Sequence, residues 1–250
     1  MPAAIILVHG LRTSATMWRH QVEALQARGI PAVAIDLPGH GSRISERFTL
    51  VEAHRAIGAA VAAATEAGIR PYLCGFSLGG YLAIDWAGEH PGTLSGLLAA
   101  SCGTAPNRLM LDGWRMLARG IHALPDRGRA LNDLAVRMFV PPAGAVDVLA
   151  GGVALDVMDD VLRELRPLDP VGSLGRIEVP VLFVNGRLDH FRLHAARYLT
   201  ATARGRLVTM PRTTHMVSVV RPGEFTSILL DGYAEAIGAG QAEPGRRVLE

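Results

Sequence analysis

Pro71-Tyr72-Leu73-Cys74-Gly75-Phe76-Ser77-Leu78-Gly79-Gly80 is the stretch on which the fold turns. A short apolar run, Pro71 to Gly75, enters G-x-S-x-G, and a helical pattern continues to about Glu89. That order, strand then glycine-flanked serine then helix, is the context in which G-x-S-x-G carries chemistry. The turn is so tight that the residues on either side of the serine crowd one another. Gly75 and Gly79 relieve the crowding because they have no Cβ. Ser77 is then expected in a strained backbone conformation with its hydroxyl projecting from the turn.

Working outward, apolar runs alternate with amphipathic stretches, the pattern of a parallel sheet wrapped by helices. Strands are expected at Ala3 to Val8, Ala32 to Ile35, Pro71 to Gly75, Leu94 to Ala100, Val179 to Val184 and Arg206 to Met210. Helices are expected from about Thr16 to Arg28, Thr49 to Ala67, Leu78 to Glu89, Leu193 to Ala203 and Pro222 to Ile237, and the polar tail after Gly238 is expected to fray. Between Gly103 and Gly175 the rhythm breaks into helical pieces, Leu109 to Leu124, Arg129 to Phe139 and Leu155 to Leu165, interrupted by Pro141-Pro142, Gly151-Gly152 and Pro167. The reading is α/β: one domain over 1–250, a mostly parallel sheet flanked by helices, with a helical lid insertion at about 104–175. Ligands of such sheets bind beyond the carboxyl ends of the strands.

Composition narrows the class. Of 250 residues 49% are hydrophobic and 19% charged, with a net charge of +2, which excludes intrinsic disorder. Two cysteines cannot make a disulfide framework, in keeping with a reducing compartment. All 25 basic residues are arginine, so lysine Schiff-base chemistry is excluded. The arginines are scattered without interleaved aromatics, so nucleic acid is not an expected partner. Pro2 to Val8 is far shorter than the roughly 20 residues that span a membrane. It also lacks a basic flank and cleavage site, so it reads as a strand, and the protein as soluble and cytoplasmic.

A serine hydroxyl needs a base that is itself oriented by an acid. Asn185-Gly186-Arg187-Leu188-Asp189 follows one late strand and Pro211-Arg212-Thr213-Thr214-His215 the next, giving the order Ser, Asp, His. Asp112, after the fourth strand, is the alternative acid. No His/Cys/Asp cluster has metal-ligand spacing, so no metal site is expected. His9 and His40 read as structural hydrogen-bonding residues of their loops, and His54 as a helix-surface residue. His190 reads either as lining the pocket or as exposed. Cys74 and Cys102 read as inert core thiols.

Together His9-Gly10, the Asp36 to Gly41 loop, the Ser77 turn, Gly186 to Asp189 and His215 resemble the α/β-hydrolase superfamily. The likeness covers nearly the whole chain outside the insertion. It is closest to compact esterase-type members, in which H-G is followed eight residues later by tryptophan, here Trp18. The resemblance implies that Ser77 is the nucleophile, His215 the base and Asp189 the acid. The backbone amides of Leu11 and Leu78 are the implied oxyanion hole. No cofactor is implied, and the partner is a small-molecule substrate, with no nucleic acid or membrane and a homodimer left open. Trp114 and Phe139 of the insertion are expected to line an apolar substrate pocket, and Leu11, Met17, Trp18, Leu78 and Met216 to add apolar surface near the serine. Arg108 or Arg115 could hold a carboxylate.

The substrate read from these residues is an uncharged, hydrophobic carboxylic ester or lactone. Haloalkane dehalogenases and epoxide hydrolases need a carboxylate where Ser77 stands, and the related hydroxynitrile lyases use a lysine. Two alternatives stay open. One is a C–C bond hydrolase of ring-fission diketones, although Leu11-Arg12-Thr13-Ser14 replaces the glycine-rich stretch of those enzymes. The other is a ligand-binding receptor on the same fold.

Overall fold

The computed structural model describes residues 4–241. Among them, six strands form one sheet: β1 (Ile5–Val8), β2 (Ala32–Ile35), β3 (Tyr72–Phe76), β4 (Gly96–Ala100), β5 (Val181–Gly186) and β6 (Gly205–Met210). Their spatial order is β2-β1-β3-β4-β5-β6, and every pairing is parallel. A parallel neighbour is reached only by crossing back over the sheet, and helices make most of those crossings. α1 (Arg19–Gln26), α2 (Leu50–Glu66) and α3 (Leu78–Glu89) link the first four strands. Between β4 and β5 lie α4 (Arg108–His122), α5 (Arg129–Phe139), α6 (Pro142–Ala150), α7 (Met158–Glu164) and α8 (Pro170–Leu174). α9 (Ala195–Ala201) joins β5 to β6, and α10 (Val217–Val220) and α11 (Pro222–Gln241) follow.

The two faces of the sheet are sorted by the two-residue period of its strands. Ile5, Leu7, Cys74 and Leu98 pack with Trp18, Leu25 and Phe225 on one side. Ile6, Val8, Leu73 and Leu97 pack with Ile57, Leu82 and Phe183 on the other. Each fully buried Leu or Ile contributes about 1.5–3 kcal/mol, so a core of this size needs no cross-link. Cys74 and Cys102 are accordingly free and buried.

The departures from the sequence reading are local. Pro141-Pro142 was expected to break helix, yet Pro142 is the first residue of α6, where its missing N–H costs nothing. Pro170 starts α8 in the same way. Asn185-Gly186 was expected to lie beyond the strand ending at Val184, but pairing with Thr209 and Met210 carries β5 through both residues. Sheet pairing there overrides turn composition. The last helix runs through Gln241; Ala3 and the remainder of the expected polar tail lie outside the described residues. No helix among the described residues is long and apolar enough to cross a membrane.

β1 has β2 on one side and β3 on the other, so the chain reverses direction across the sheet at the β1/β3 boundary. That reversal opens a crevice beyond the carboxyl ends of these two strands. His9 to Arg12 leave β1 there, and Ser77 leaves β3 beside them.

Candidate active site

Ser77 is held at φ 52°, ψ −114° between β3 and α3, a left-handed backbone that a non-glycine residue adopts only under local constraint. The constraint is visible: Ser77 N–H donates to the Ala100 carbonyl at 2.8 Å, and Gly79 N–H donates to the His9 carbonyl at 3.1 Å. β4 and the β1 loop therefore grip the turn from both sides.

His215 Nε2 lies 3.0 Å from Ser77 Oγ. Its Nδ1 lies 3.1 and 3.2 Å from the two carboxylate oxygens of Asp189. Ser101 donates its hydroxyl to the His215 carbonyl at 2.7 Å, fixing the imidazole's backbone. The Asp189 side chain is fully buried, and its carboxylate also accepts the Phe191 N–H at 2.9 Å. Burial alone raises its pKa, but the hydrogen bond and charge of His215, with the Phe191 amide, outweigh burial and hold it below the ordinary carboxylate value. Asp189 is thus a charged carboxylate aimed at the imidazole. The alternative acid is placed elsewhere. Asp112 sits half-exposed on α4, paired with Arg115 and Arg166.

His9 and His40 shape the loops around the serine. Buried His9 donates from Nδ1 to the Gly10 carbonyl (2.8 Å) while Nε2 accepts the Leu37 N–H (3.0 Å), which fixes the neutral tautomer. His40 donates to the Pro38 carbonyl at 2.9 Å, and its ring lies 4.9 Å from that of His9. Asp36, beside both, accepts from Ala15 N–H (2.7 Å), Ser42 N–H (2.9 Å) and Ser42 hydroxyl (2.8 Å). Burial lowers the His9 pKa to about 4, against the opposing pull of the Gly10 carbonyl and Asp36. It lowers that of His40 to about 3, assisted by repulsion from His9 and opposed by Pro38 and Asp36.

Both imidazoles are neutral in the folded protein, and the unfolded chain protonates them near 6.5. Below that pH the unfolded state binds more protons, so stability is full above about 6.5 and is lost as pH falls towards 4. Each histidine contributes a slope of about 1.4 kcal/mol per pH unit across that window. Melting curves from pH 7 to 5 should show this fall, and His40→Gln should flatten it. An equally steep fall in the variant would remove His40 from the account.

Ser77 and His215 open into a cavity of about 480 Å³ lined by Leu11, Leu78, Tyr81, Met110, Trp114 and Phe191, among others. The Leu11 and Leu78 N–H groups have no hydrogen-bond partner among the described residues. Trp114 is 36% exposed and stacks on Phe191 at 6.4 Å, and Phe191 lies 4.9 Å from the His215 ring. His190 both lines the cavity and is largely exposed, so its two readings coexist.

Phe139 does not belong to this wall: it is 62% exposed at the end of α5, and it is Ala135, one turn earlier, that faces the cavity. Met17 and Trp18 are likewise removed from the serine. Trp18 is buried against Phe225, 5.8 Å away, because its helical turn packs on the opposite face of the sheet. Met216 packs on that same face. Arg108 is exposed, and Arg115 is engaged by Asp159 and Asp112. Sequence reasoning missed Arg12, Tyr81 and Phe191. Arg12 and Phe191 were within reach, one residue after Leu11 and two after Asp189; Tyr81 needed the fold.

A second cleft, about 600 Å³, lies between the Gly39 to Phe48 loop and the insertion, lined by Arg47, Asp126, Arg127, Asp156 and Asp160. It holds ion pairs but no nucleophile beside a base. The expectation of no metal-type cluster needs one correction. The fold brings His54 Nε2 to 3.4 Å from Asp85 and Nδ1 to 3.5 Å from Glu89, a grouping of α2 and α3 that linear spacing conceals. Asp85 lies about two turns down α3 from Ser77, so the group takes no part in this site.

Comparison with known proteins identifies the family and the fold. A family model described as the alpha/beta hydrolase family matches residues 5–228. Over 78 residues the chain is 44% identical to the esterase PIR7B of Oryza sativa subsp. japonica, a match covering 30% of this chain and 29% of that protein. The chain thus spans under a third of the curated relative's length. Among solved structures, NosK from Streptomyces actuosus is 25% identical with a TM-score of 0.70, covering 95% of this chain and 100% of that one. A thermophilic esterase from Thermogutta terrifontis is 18% identical with a TM-score of 0.76, covering 94% and 90%, which is a likeness of fold.

Proposed function

Because this chain belongs to the alpha/beta hydrolase family, we propose that it is a serine hydrolase cleaving small carboxylic esters or lactones through an acyl-enzyme on Ser77. The observation that carries this reading is the 3.0 Å approach of His215 Nε2 to Ser77 Oγ, with Asp189 on the far ring nitrogen. A nucleophile, a base and a group that fixes the base's tautomer are the parts that acyl transfer requires.

His215 takes the hydroxyl proton as Ser77 Oγ attacks the ester carbonyl. The carbonyl oxygen becomes an anion between the Leu11 and Leu78 amides, where each donor contributes on the order of 3–4 kcal/mol to the transition state. The amino end of α3, twelve residues long, adds its positive pole at the same point. His215 then gives its proton to the departing alcohol. Water, deprotonated by the same imidazole, attacks the acyl-enzyme, and collapse of the second tetrahedral intermediate frees the acid and Ser77. Asp189 stays ionised throughout and stabilises the imidazolium. α4 and α7, through Met110, Trp114 and Met158, act as the lid that limits acyl size.

The test is labelling with a fluorophosphonate followed by peptide mapping, which needs no knowledge of the natural substrate. One adduct at Ser77 is the expected result. A folded protein that takes up no label would instead point to a binding protein on this fold.

A further inference from the structure

Arg12 follows Leu11 directly and lines the same cavity as Ser77 and His215. Its backbone stands in the left-handed region at φ 64°, uncommon for a side chain of this size and the same kind of constraint seen at Ser77. A half-buried arginine usually lays its stem on apolar surface and sends its head to water or a carboxylate. Arg12 departs from that habit: its Nε is buried without a hydrogen-bond partner.

Arg12 also borders a smaller cleft whose two acids, Asp159 and Asp156, are already occupied. Asp159 is shared by Arg115, Arg119 and Arg163, and Asp156 by His122 and Arg127. Asp133 acts on Arg12 only as a longer-range charge, and burial, the larger effect, lowers the Arg12 pKa. Arginine nevertheless stays charged in proteins. The wall of the Ser77 cavity therefore includes a cation whose Nε has no partner, among residues that are otherwise largely apolar.

We infer that Arg12 is the specificity-determining residue of this site, and that the substrate is an ester or lactone carrying a free carboxylate. The inference rests on the serine hydrolase reading and refines it, replacing an uncharged substrate with a monoanionic one. A guanidinium fork matches a carboxylate with two parallel hydrogen bonds. A phosphate dianion would call for more cationic donors than this wall supplies. Arg12 and Leu11 are adjacent, about 3.8 Å between Cα atoms. With Arg12 next to Leu11 in the chain, a carboxylate and a scissile carbonyl of one small molecule can reach both residues.

The experiment uses two 4-nitrophenyl esters of equal acyl length, the pentanoate and the glutarate monoester, with fluorophosphonate labelling run in parallel. The unmodified protein should favour the glutarate monoester in kcat/KM. Arg12→Gln should lower the ratio of glutarate to pentanoate kcat/KM by about 10- to 100-fold, the size of a lost charge-assisted contact. Arg12→Lys should restore part of it. In the unmodified protein glutarate should inhibit pentanoate hydrolysis at lower concentration than uncharged glutaramide, a measurement that needs no variant. Equal losses on both esters, or equal inhibition by the two compounds, would overturn the role of Arg12 while Ser77 labelling keeps the hydrolase reading intact. Absence of labelling on folded protein would overturn that reading and this inference with it.

Discussion

Ser77→Ala should lower kcat for ester hydrolysis by about 10⁴- to 10⁶-fold, and abolish fluorophosphonate uptake, with the melting temperature nearly unchanged. Among the described residues no other hydroxyl bonds to His215 Nε2: Ser77 Oγ lies 3.0 Å from it with its backbone set by the turn. Residual rate then comes from substrate binding and the amides alone. The Asp189 and Asp112 variants separate the two candidate acids. Asp189→Ala should cost about 10²- to 10⁴-fold, since it frees the imidazole to take the wrong tautomer. Asp112→Ala removes an exposed partner of Arg115 and Arg166, which is a contact of the insertion, and kcat should stay within about twofold. Steady-state rates on one chromogenic ester decide the matter. Full activity in Ser77→Ala ends the assignment, and a reversal of the two aspartates moves the acid to Asp112.

The second large effect is structural. A Cβ added at Gly75 would lie 2.2 Å from the Gly79 carbonyl oxygen and 2.5 Å from its carbonyl carbon. At Gly79 it would lie 2.3 Å from the Val8 carbonyl oxygen. These are backbone atoms of a pinned turn, so no side chain can swing aside. Gly75→Ala should therefore cost about 3 kcal/mol, the upper end of overpacking penalties. For a chain of this length that is a fall in melting temperature of roughly 6–12 °C. Labelling at Ser77 should slow in the same variant, because the turn that presents the hydroxyl must deform. Gly113→Ala is the control: it lies within α4 with nothing within 4 Å of its added Cβ. Alanine there should stabilise by about 0.5–1 kcal/mol through helix propensity. Scanning calorimetry on the three proteins checks the pair. A Gly75→Ala protein that melts and labels like the unmodified one would show that the turn tolerates the crowding.

Which of these features could be read without coordinates follows from the range of the interactions that create them. The G-x-S-x-G turn, the six strands and the Asp189 and His215 loops are encoded in runs of a few residues. Two-residue and 3.6-residue periods, glycine at a tight turn and chain order all survive in one dimension. The insertion was less legible. α6 was hidden by a Pro-Pro pair that reads as a break unless the helix start is known, and Phe139 was assigned to a pocket wall on composition alone. Which face of a lid helix meets the substrate depends on how that helix docks, and amphipathic pattern does not say against what.

The sequence by itself therefore determined the sheet, the G-x-S-x-G turn and the order Ser77, Asp189, His215, since each is a local pattern placed at the end of a strand. Beyond Leu11, Leu78 and Trp114, tertiary structure decided the cavity wall. It turned Trp18 onto Phe225, put Phe139 in solvent, gathered His54 with Asp85 and Glu89, and left Arg12 without a carboxylate beside Ser77. Those outcomes depend on which distant residues are already paired. Arg12 Nε stays without a partner while Arg115, Arg119, Arg163, Arg127 and His122 hold Asp159 and Asp156.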